Sequence, residues 1–321
     1  MTQHKHLFVM DSVEKLNLKL DSSLRVAQAL INRGHQCYMT SPQEMTWLNG
    51  KDGSTPYCTA SLLSNDNGEI PSIKPLGQLE LSEFDGIHMR KDPPFDMDYI
   101  SSTWVLSEAG KKSKIYNDPQ TLRGMNEKLA IFAFPQYCDT GILSSNPTEL
   151  TNFVKKEASG DAILKPLDLY GGRGVQRISL QSMTDHDLEV LLDSETGGGK
   201  AARLIQPFNK GIFEGEVRAF TCFGEAISWC LKIPAKGEYL ANTRTGATLH
   251  AYTPPKEELE MVLDVSSQLR KQGVEFVGYD IIGGKISEIN ITSPRLLLAD
   301  DQDPTAYYDR IAHLLEQDLP S

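Results

Sequence analysis

The residues best suited to chemistry lie near the end of the chain, at 276–294, FVGYDIIGGKISEINITSP. Two β-rich runs flank Gly283 and Gly284, which signals a hairpin. On the second run Glu288 and Asn290 alternate with Ile289 and Ile291, so one face is polar and the other apolar. Asp280 stands on the first run, and its face depends on the turn. A two-residue turn pairs Ile282 with Lys285 and sends Asp280 and Glu288 to opposite faces. A three-residue turn pairs Ile282 with Ile286 and sets Asp280 directly opposite Glu288. Three-residue hairpin loops with a glycine at positive φ are common, so the second register is expected.

In that register two like charges face each other across an antiparallel pair and repel. A hard divalent cation removes the penalty. Asp280, Glu288 and the amide oxygen of Asn290 are suitable ligands, since Mg²⁺ is usually held by one or two carboxylates together with phosphate oxygens. For the hairpin alone the bland reading, a solvated edge with scattered acids, leads. The elements that precede it reverse the balance.

A β-α-β opening is expected: a strand at 7–10, a helix from Asp21 or Ser22 to about Arg33 with Gly34 as its stop, and a strand at 36–40. The 50–80 stretch, rich in Ser, Asn, Gly and Pro, reads as an irregular insertion. A strand at 86–89 runs into Arg90-Lys91-Asp92-Pro93-Pro94, an extended loop at the strand end where open α/β sheets place ligands. Arg90 there suits a bidentate carboxylate contact, or is a plain surface charge. A helix at 98–109 and a strand at 114–117 close the first unit near residue 120.

Beyond it, Asn126-Glu127-Lys128-Leu129 reads as the start of an amphipathic helix, and Asn146-Pro147 as a second helix start. A strand at 162–164 ends in Lys165 and is followed by the turn Asp168–Gly174, DLYGGRG. A glycine-rich turn between two strands lets backbone N–H groups approach phosphates closely, and a strand-end lysine adds a matching point charge. The turn precedes a strand, so it is neither a P-loop nor a dinucleotide fingerprint. A strand at 204–206 leads to Pro207-Phe208. Runs at 216–220 and 226–233 pair around Phe223-Gly224, with Arg218 alternating among apolar residues. The polar 234–250 segment lacks periodicity and is long enough to be an active-site lid. A long helix ends near Gly273, and residues 304–316 form a last amphipathic helix.

Bulk properties narrow the class. The 321 residues carry a formal net charge of −11, which argues against nucleic acid or an anionic membrane as main partner. No apolar run is long enough to span a bilayer, and the N-terminus does not read as a signal peptide. The five cysteines are scattered without metal spacing, as expected of reduced thiols in a cytoplasmic protein. In chain order, a lysine, a strand-end lysine, a glycine turn, an arginine, a long loop and an acidic hairpin suit ATP held between two small sheets.

Across nearly its whole length the sequence resembles the bacterial-type glutathione synthetases of the ATP-grasp superfamily. The residues that carry the likeness are Met10-Asp11 with Asn17-x-Lys19-x-Asp21-Ser22-Ser23, the run from Met89 to Asp96, Asn126–Leu129, Ile163–Asp168, Gly171-Gly172, Gln206, Arg218, and Asp280–Gly283 with Glu288–Pro294. The resemblance implies an α/β (α+β) chain: a Rossmann-like substrate domain at 1–120, a small ATP-grasp subdomain at 121–203, and a C-terminal subdomain at 204–321 bearing metal hairpin and lid. It implies that Lys128 and Lys165 contact ATP phosphates beneath the loop of Gly171 and Gly172, with Gln206 and Phe208 at the adenine hinge and Asn290 shared with the metal. Asp280, Glu288 and Asn290 would bind Mg²⁺, with Mn²⁺ as a substitute. Arg218 and Lys232 would act at the acyl phosphate, and Lys19, Arg90, Asn242 and Ser293 at the substrates, γ-glutamylcysteine and glycine. A homo-oligomer is implied as well.

The chain departs from the family pattern at Leu20, at Lys232 where an arginine is usual, in the glycine-poor lid, and at Arg295–Leu298. All four lie near the substrates and none touches the metal set. Two other readings stay open: a related ligase with a different donor or acceptor, and a catalytically silent nucleotide-binding module.

Overall fold

A computed structural model describes residues 2–18, 21–51, 53–65, 70–299 and 302–320. Three sheets organise the chain. The first contains β1 (Lys5–Val9), β2 (Gln36–Thr40), β3 (Met45–Gly50), β4 (Gly53–Ser64), β5 (Ser72–Glu80), β6 (Gly86–Met89) and β7 (Lys114–Tyr116). Its parallel half runs β2-β1-β6-β7, with β1 between β2 and β6. Helix α1 (Ser22–Asn32) starts where the Asp21 carboxylate accepts the N–H groups of Ser23 and Leu24, and Gly34 at φ +94° ends that turn. Helix α2 (Met97–Ala109) is capped by Asp96 in the same way, and the short α3 (Pro119–Gly124) follows β7.

The 50–80 stretch is not irregular, as its composition suggested. It forms an antiparallel ribbon in which β4 pairs with β2, β3 and β5. Cys58 and Ala60 alternate inward, and beyond them Leu63 is the buried position; the register with β5 shifts at Ala60/Ser61, where β5 carries the extra residue Leu76. Small inward side chains and the change of buried phase from Ala60 to Leu63 hide the period-2 pattern. Pro75 sits on the edge strand β5, where a missing N–H is tolerated.

The second sheet is antiparallel, in the order β10-β9-β11-β8: β8 (Ile142–Ser144), β9 (Asp161–Lys165), β10 (Gln176–Ser179) and β11 (Arg203–Pro207). The boundary expected at 203 would hand β11 to the next unit, but β11 pairs with both β8 and β9. Helices α4 (Pro147–Lys156) and α5 (Asp185–Thr196) cover one face and bury Leu150, Val154, Leu188 and Leu192 against Leu164, Ile178 and Ile205. The helix expected at 126–129 is instead a loop leading into a 3₁₀ turn at Ala130–Ala133. Pro135 disfavours helical geometry at Phe134 and cuts the run short.

The third sheet runs β14-β13-β12-β15-β16, all antiparallel: β12 (Glu216–Cys222), β13 (Glu225–Ile233), β14 (Thr248–Ala251), β15 (Phe276–Ile282) and β16 (Lys285–Asn290). Helix α6 (Lys256–Arg270) buries Met261, Val262, Val265 and Leu269 in the core that also holds Tyr279, Ile281, Ile286 and Ile289. Helix α7 (Pro304–Asp318) returns to pack on α1. There Tyr308, Ile311 and Leu315 join Phe8 and Leu24 of the first sheet layer and Phe220 and Phe276 of the third. One core thus ties the first sheet to the third.

Candidate active site

The hairpin β15–β16 corrects the expected turn and keeps its consequence. The turn has two residues, Gly283 and Gly284 at φ +55° and +75°, and Ile282 pairs with Lys285 rather than Ile286. Asp280 nevertheless faces Glu288, because the ladder steps from Ile281↔Ile286 to Asp280↔Glu288 and leaves Ser287 as a bulge. Ile286, Ile289 and Ile291 are thereby all buried on the core side.

The polar face continues across the sheet. Arg218 on β12 pairs with Asp280, and Lys232 on β13 pairs with Glu216 on β12. Arg218 Nη1 donates to Asp280 Oδ2 at 2.9 Å, and Lys232 Nζ donates to Asp280 Oδ1 at 2.9 Å. The departure at Lys232, expected to stay clear of the metal set, therefore touches it through Asp280. Asn290 Nδ2 adds a hydrogen bond to Oδ2 at 3.1 Å, and Lys232 also pairs with Glu216. Burial would raise the Asp280 pKa, but the two cations outweigh it and hold the carboxyl far below the usual carboxylate range. Burial likewise works against Lys232, yet Asp280 and Glu216 push it up to about 12. Glu216 is pushed up to about 7, by burial first and Asp280 against the pull of Lys232.

From the second sheet, Lys165 at the end of β9 reaches across and donates to the Ser287 carbonyl at 3.3 Å. Desolvation lowers its pKa, while Glu288 and Glu216 support its charge. Lys128 is buried, and its Nζ donates to the Leu169 carbonyl, so both lysines flank the glycine turn. Glu127 beside it accepts from Thr292 Oγ1 at 2.8 Å and is pushed up to about 7, by burial and then by Glu288. Gly171, Gly172 and Gly174 all have positive φ, at +63°, +76° and +68°, which other residues rarely adopt.

The lid is more structured than its polarity suggests. Asn242 caps a 3₁₀ turn at Thr243–Thr245, β14 adds to the sheet edge, and Asn242 Nδ2 donates to the Gly171 carbonyl at 2.7 Å. Lid residues Tyr239 and Ala241 pack with Phe208, whose ring also carries the Arg177 guanidinium at 3.7 Å. Gln206, beside Phe208 on β11, is buried with no partner for its Oε1.

Arg90 is drawn inward. Its Nε donates to Ser23 Oγ at 3.0 Å and its Nη2 to the Pro294 carbonyl at 2.8 Å, over the Phe276 ring. The bidentate edge is therefore engaged with the chain itself, tying α1 to the segment that follows β16. Burial lowers its pKa, against the support of Asp21 and Asp92. The Ser293 hydroxyl lies against Asp92. Lys19 and Leu20 fall outside the described residues.

The set Asp280, Glu288 and Asn290 fits a Mg²⁺-type ion. It offers two carboxylates and an amide on one sheet face, the donor number such an ion takes when phosphates complete its shell. Among the described residues no three His, Cys, Asp or Glu side chains form a closed metal-binding group. Two acids of the site had not been singled out by role. Glu216 could have been found from its i,i+2 alternation with Arg218, and Glu127 only from the tertiary contact.

The architecture is that of a known class. A Chryseobacterium gregarium RiPP-associated ATP-grasp ligase, solved with ADP and a leader and core peptide, superposes with TM-score 0.66 at 13% identity, over 99% of this chain and 98% of its own. Fold and sequence together define an ATP-grasp ligase. Residues 4–123 match the family model described as prokaryotic glutathione synthetase, N-terminal domain, and residues 127–299 its ATP-grasp domain. A glutathione synthetase of Vibrio parahaemolyticus is 35% identical over 89% of each chain, and one of Nitrosomonas europaea 31% identical over 98% of each. The chain belongs to the prokaryotic glutathione synthetase family and is an ATP-dependent ligase.

Proposed function

We propose that the protein joins the carboxylate of γ-glutamylcysteine to the amine of glycine, with ATP cleaved to ADP and phosphate. The observation that carries the reading is the charged row on the third sheet, Arg218–Asp280–Glu288 with Lys232 beside it, facing Lys165 and Lys128 around a glycine turn. A substrate carboxylate oxygen attacks the γ-phosphorus and ADP leaves, giving an acyl phosphate. The glycine nitrogen then attacks the carbonyl carbon, phosphate leaves, and the nitrogen loses a proton. No side-chain nucleophile is needed, because positioning and charge stabilisation carry phosphoryl transfer.

Lys128 and Lys165 neutralise phosphate oxygens, and the glycine turn closes over them. The unpartnered Gln206 Oε1 can accept a hydrogen bond from an adenine amine beside Phe208. Bound at Asp280, Glu288 and Asn290, Mg²⁺ (or Mn²⁺) neutralises charge that builds up on the phosphates. Arg218 and Lys232 lie where an acyl phosphate gains charge, and Arg90 and Ser293 order the loops of the peptide site, with Asn242 at its margin; a substrate role for Lys19 rests on the family resemblance alone. The lid contact from Asn242 to Gly171 supports exclusion of water from the acyl phosphate.

Cytoplasmic placement and homo-oligomeric assembly belong to the same proposal. The first is supported by five buried cysteines without a disulfide, and among the described residues no helix is long and apolar enough to cross a membrane. Light scattering reads the second. The substrate assignment is tested by phosphate release from purified protein with ATP, γ-glutamylcysteine and a panel of amine acceptors. Glycine is expected to stimulate release most. Stimulation by another amine but not glycine would move the chain to a related ligase, and tight ATP binding without ADP formation under any mixture would make it a silent nucleotide-binding module.

A further inference from the structure

The Ser287 bulge is not needed to bring the acids together. With Ser287 taken out of the ladder, the observed pairs Ile282↔Lys285, Ile281↔Ile286, Asp280↔Glu288 and Tyr279↔Ile289 already form an unbroken register around a two-residue turn. Deleting it leaves Ile286-Glu288-Ile289-Asn290-Ile291, a strict alternation with the acids outward. The extra residue therefore adds something else to the strand, a carbonyl group outside the ladder. That carbonyl accepts from Lys165 Nζ, on a different sheet, at 3.3 Å, and the Ser287 hydroxyl donates to the Asp280 carbonyl at 3.2 Å, fixing the bulged peptide.

Resting on the reading of Lys165 as a phosphate-binding lysine, we infer that Ser287 is a positioning residue whose main-chain carbonyl aims the Lys165 ammonium at the nucleotide phosphates. An ammonium has three donors. One is used on Ser287, and the direction of that bond sets where the other two point. The same contact links the second sheet to the third, so it also sets how far the lysine stands from the acidic row. A side-chain acceptor would compete for the metal; a main-chain carbonyl on the bulge carries only a partial charge and is held rigidly.

The test is nucleotide binding by calorimetry, with Mg–ADP and no donor or acceptor, alongside urea unfolding. Ser287→Ala keeps the carbonyl and removes only the hydroxyl bond to Asp280, and is expected to weaken binding clearly less than the deletion does. Deletion of Ser287 is expected to weaken binding roughly tenfold, the factor for one lost hydrogen bond to a charged group, with the urea midpoint little changed. In a Lys165→Met background the deletion is expected to have no further effect. Parent-like binding by the deletion variant, with Lys165→Met weakened, overturns the inference and leaves the phosphate role of Lys165 standing. Parent-like binding by Lys165→Met overturns that role itself. Should the deletion variant not fold, an ester in place of the Ser287–Glu288 amide weakens the same acceptor and leaves every side chain intact. Because the ester also removes the Glu288 N–H, it is read in both backgrounds: weaker Mg–ADP binding in the parent but not in Lys165→Met supports the inference, and unchanged binding, or equal weakening in both, overturns it.

Discussion

Lowering the pH from 7 to 5 should remove about 2 kcal/mol of stability through His6 alone, a loss that can be isolated from opposing groups. His6 lies fully buried on β1, its Nδ1 3.1 Å from His88 Nε2 on β6, and its Nε2 has no partner. Burial first, then the neighbouring His35 and His4, lower its pKa from 6.5 to about 3, against a weaker pull from Glu316. His88 is lowered too, by burial, His6 and Arg90, and it is stacked on Phe8 and Tyr116. Between pH 6.5 and 3 the unfolded chain holds a proton on residue 6 that the native one refuses. The unfolded state binds more protons there, so stability rises with pH and falls on acidification.

Three buried acids work the other way. Glu127, Glu216 and Glu275 are each pushed up to about 7, so the native state takes up protons that unfolded glutamates do not. Each gains about 2 kcal/mol between pH 7 and 5. The parent profile therefore mixes opposing contributions, in which the three acids together outweigh His6, and says little about His6 by itself. The informative quantity is a difference. His6→Phe fills the same space without the titrating nitrogens, and the acids contribute equally to both proteins. From urea unfolding at the two pH values, the stability of His6→Phe relative to the parent should rise by about 2 kcal/mol at pH 5. A gap that stays constant within about 0.5 kcal/mol would refute the claim that His6 is held neutral by its surroundings.

Two further predictions concern the site. With Glu288 proposed as a metal ligand rather than a core group, Glu288→Gln should cut metal-dependent phosphate release roughly a hundredfold or more while leaving the urea midpoint close to the parent; near-parent turnover would reject that role. Gly171→Ala places a methyl at φ +63° and against the Arg244 guanidinium. It should cost about 1 kcal/mol in stability and lower kcat more than it raises KM for ATP, because it obstructs the lid contact rather than the lysines; steady-state kinetics over ATP concentration read that split.

What the sequence disclosed follows from how local the cause was. Asp21, Asp96 and Asn146 cap helices with their own side chains, so the starts of α1, α2 and α4 are legible within a few residues. The hairpin is legible too, but its turn was misjudged by treating register as a property of turn length alone. The clue was present in Ile286-Ser287-Glu288-Ile289: apolar residues three apart break period 2, and a one-residue bulge is the physical remedy. In the twelve-residue β4 the buried positions also change phase, from Ala60 to Leu63, and the strand looks irregular from its composition. What stayed hidden was tertiary. Nothing near Arg90 announces that its fork will close on Ser23 and Pro294, more than sixty residues away on either side, or that Lys165 and Ser287 will meet from different sheets. Local pattern names the charged groups. Which of them neutralise one another, and which remain to face a nucleotide, depends on cross-strand pairing within the third sheet and on how the sheets pack together.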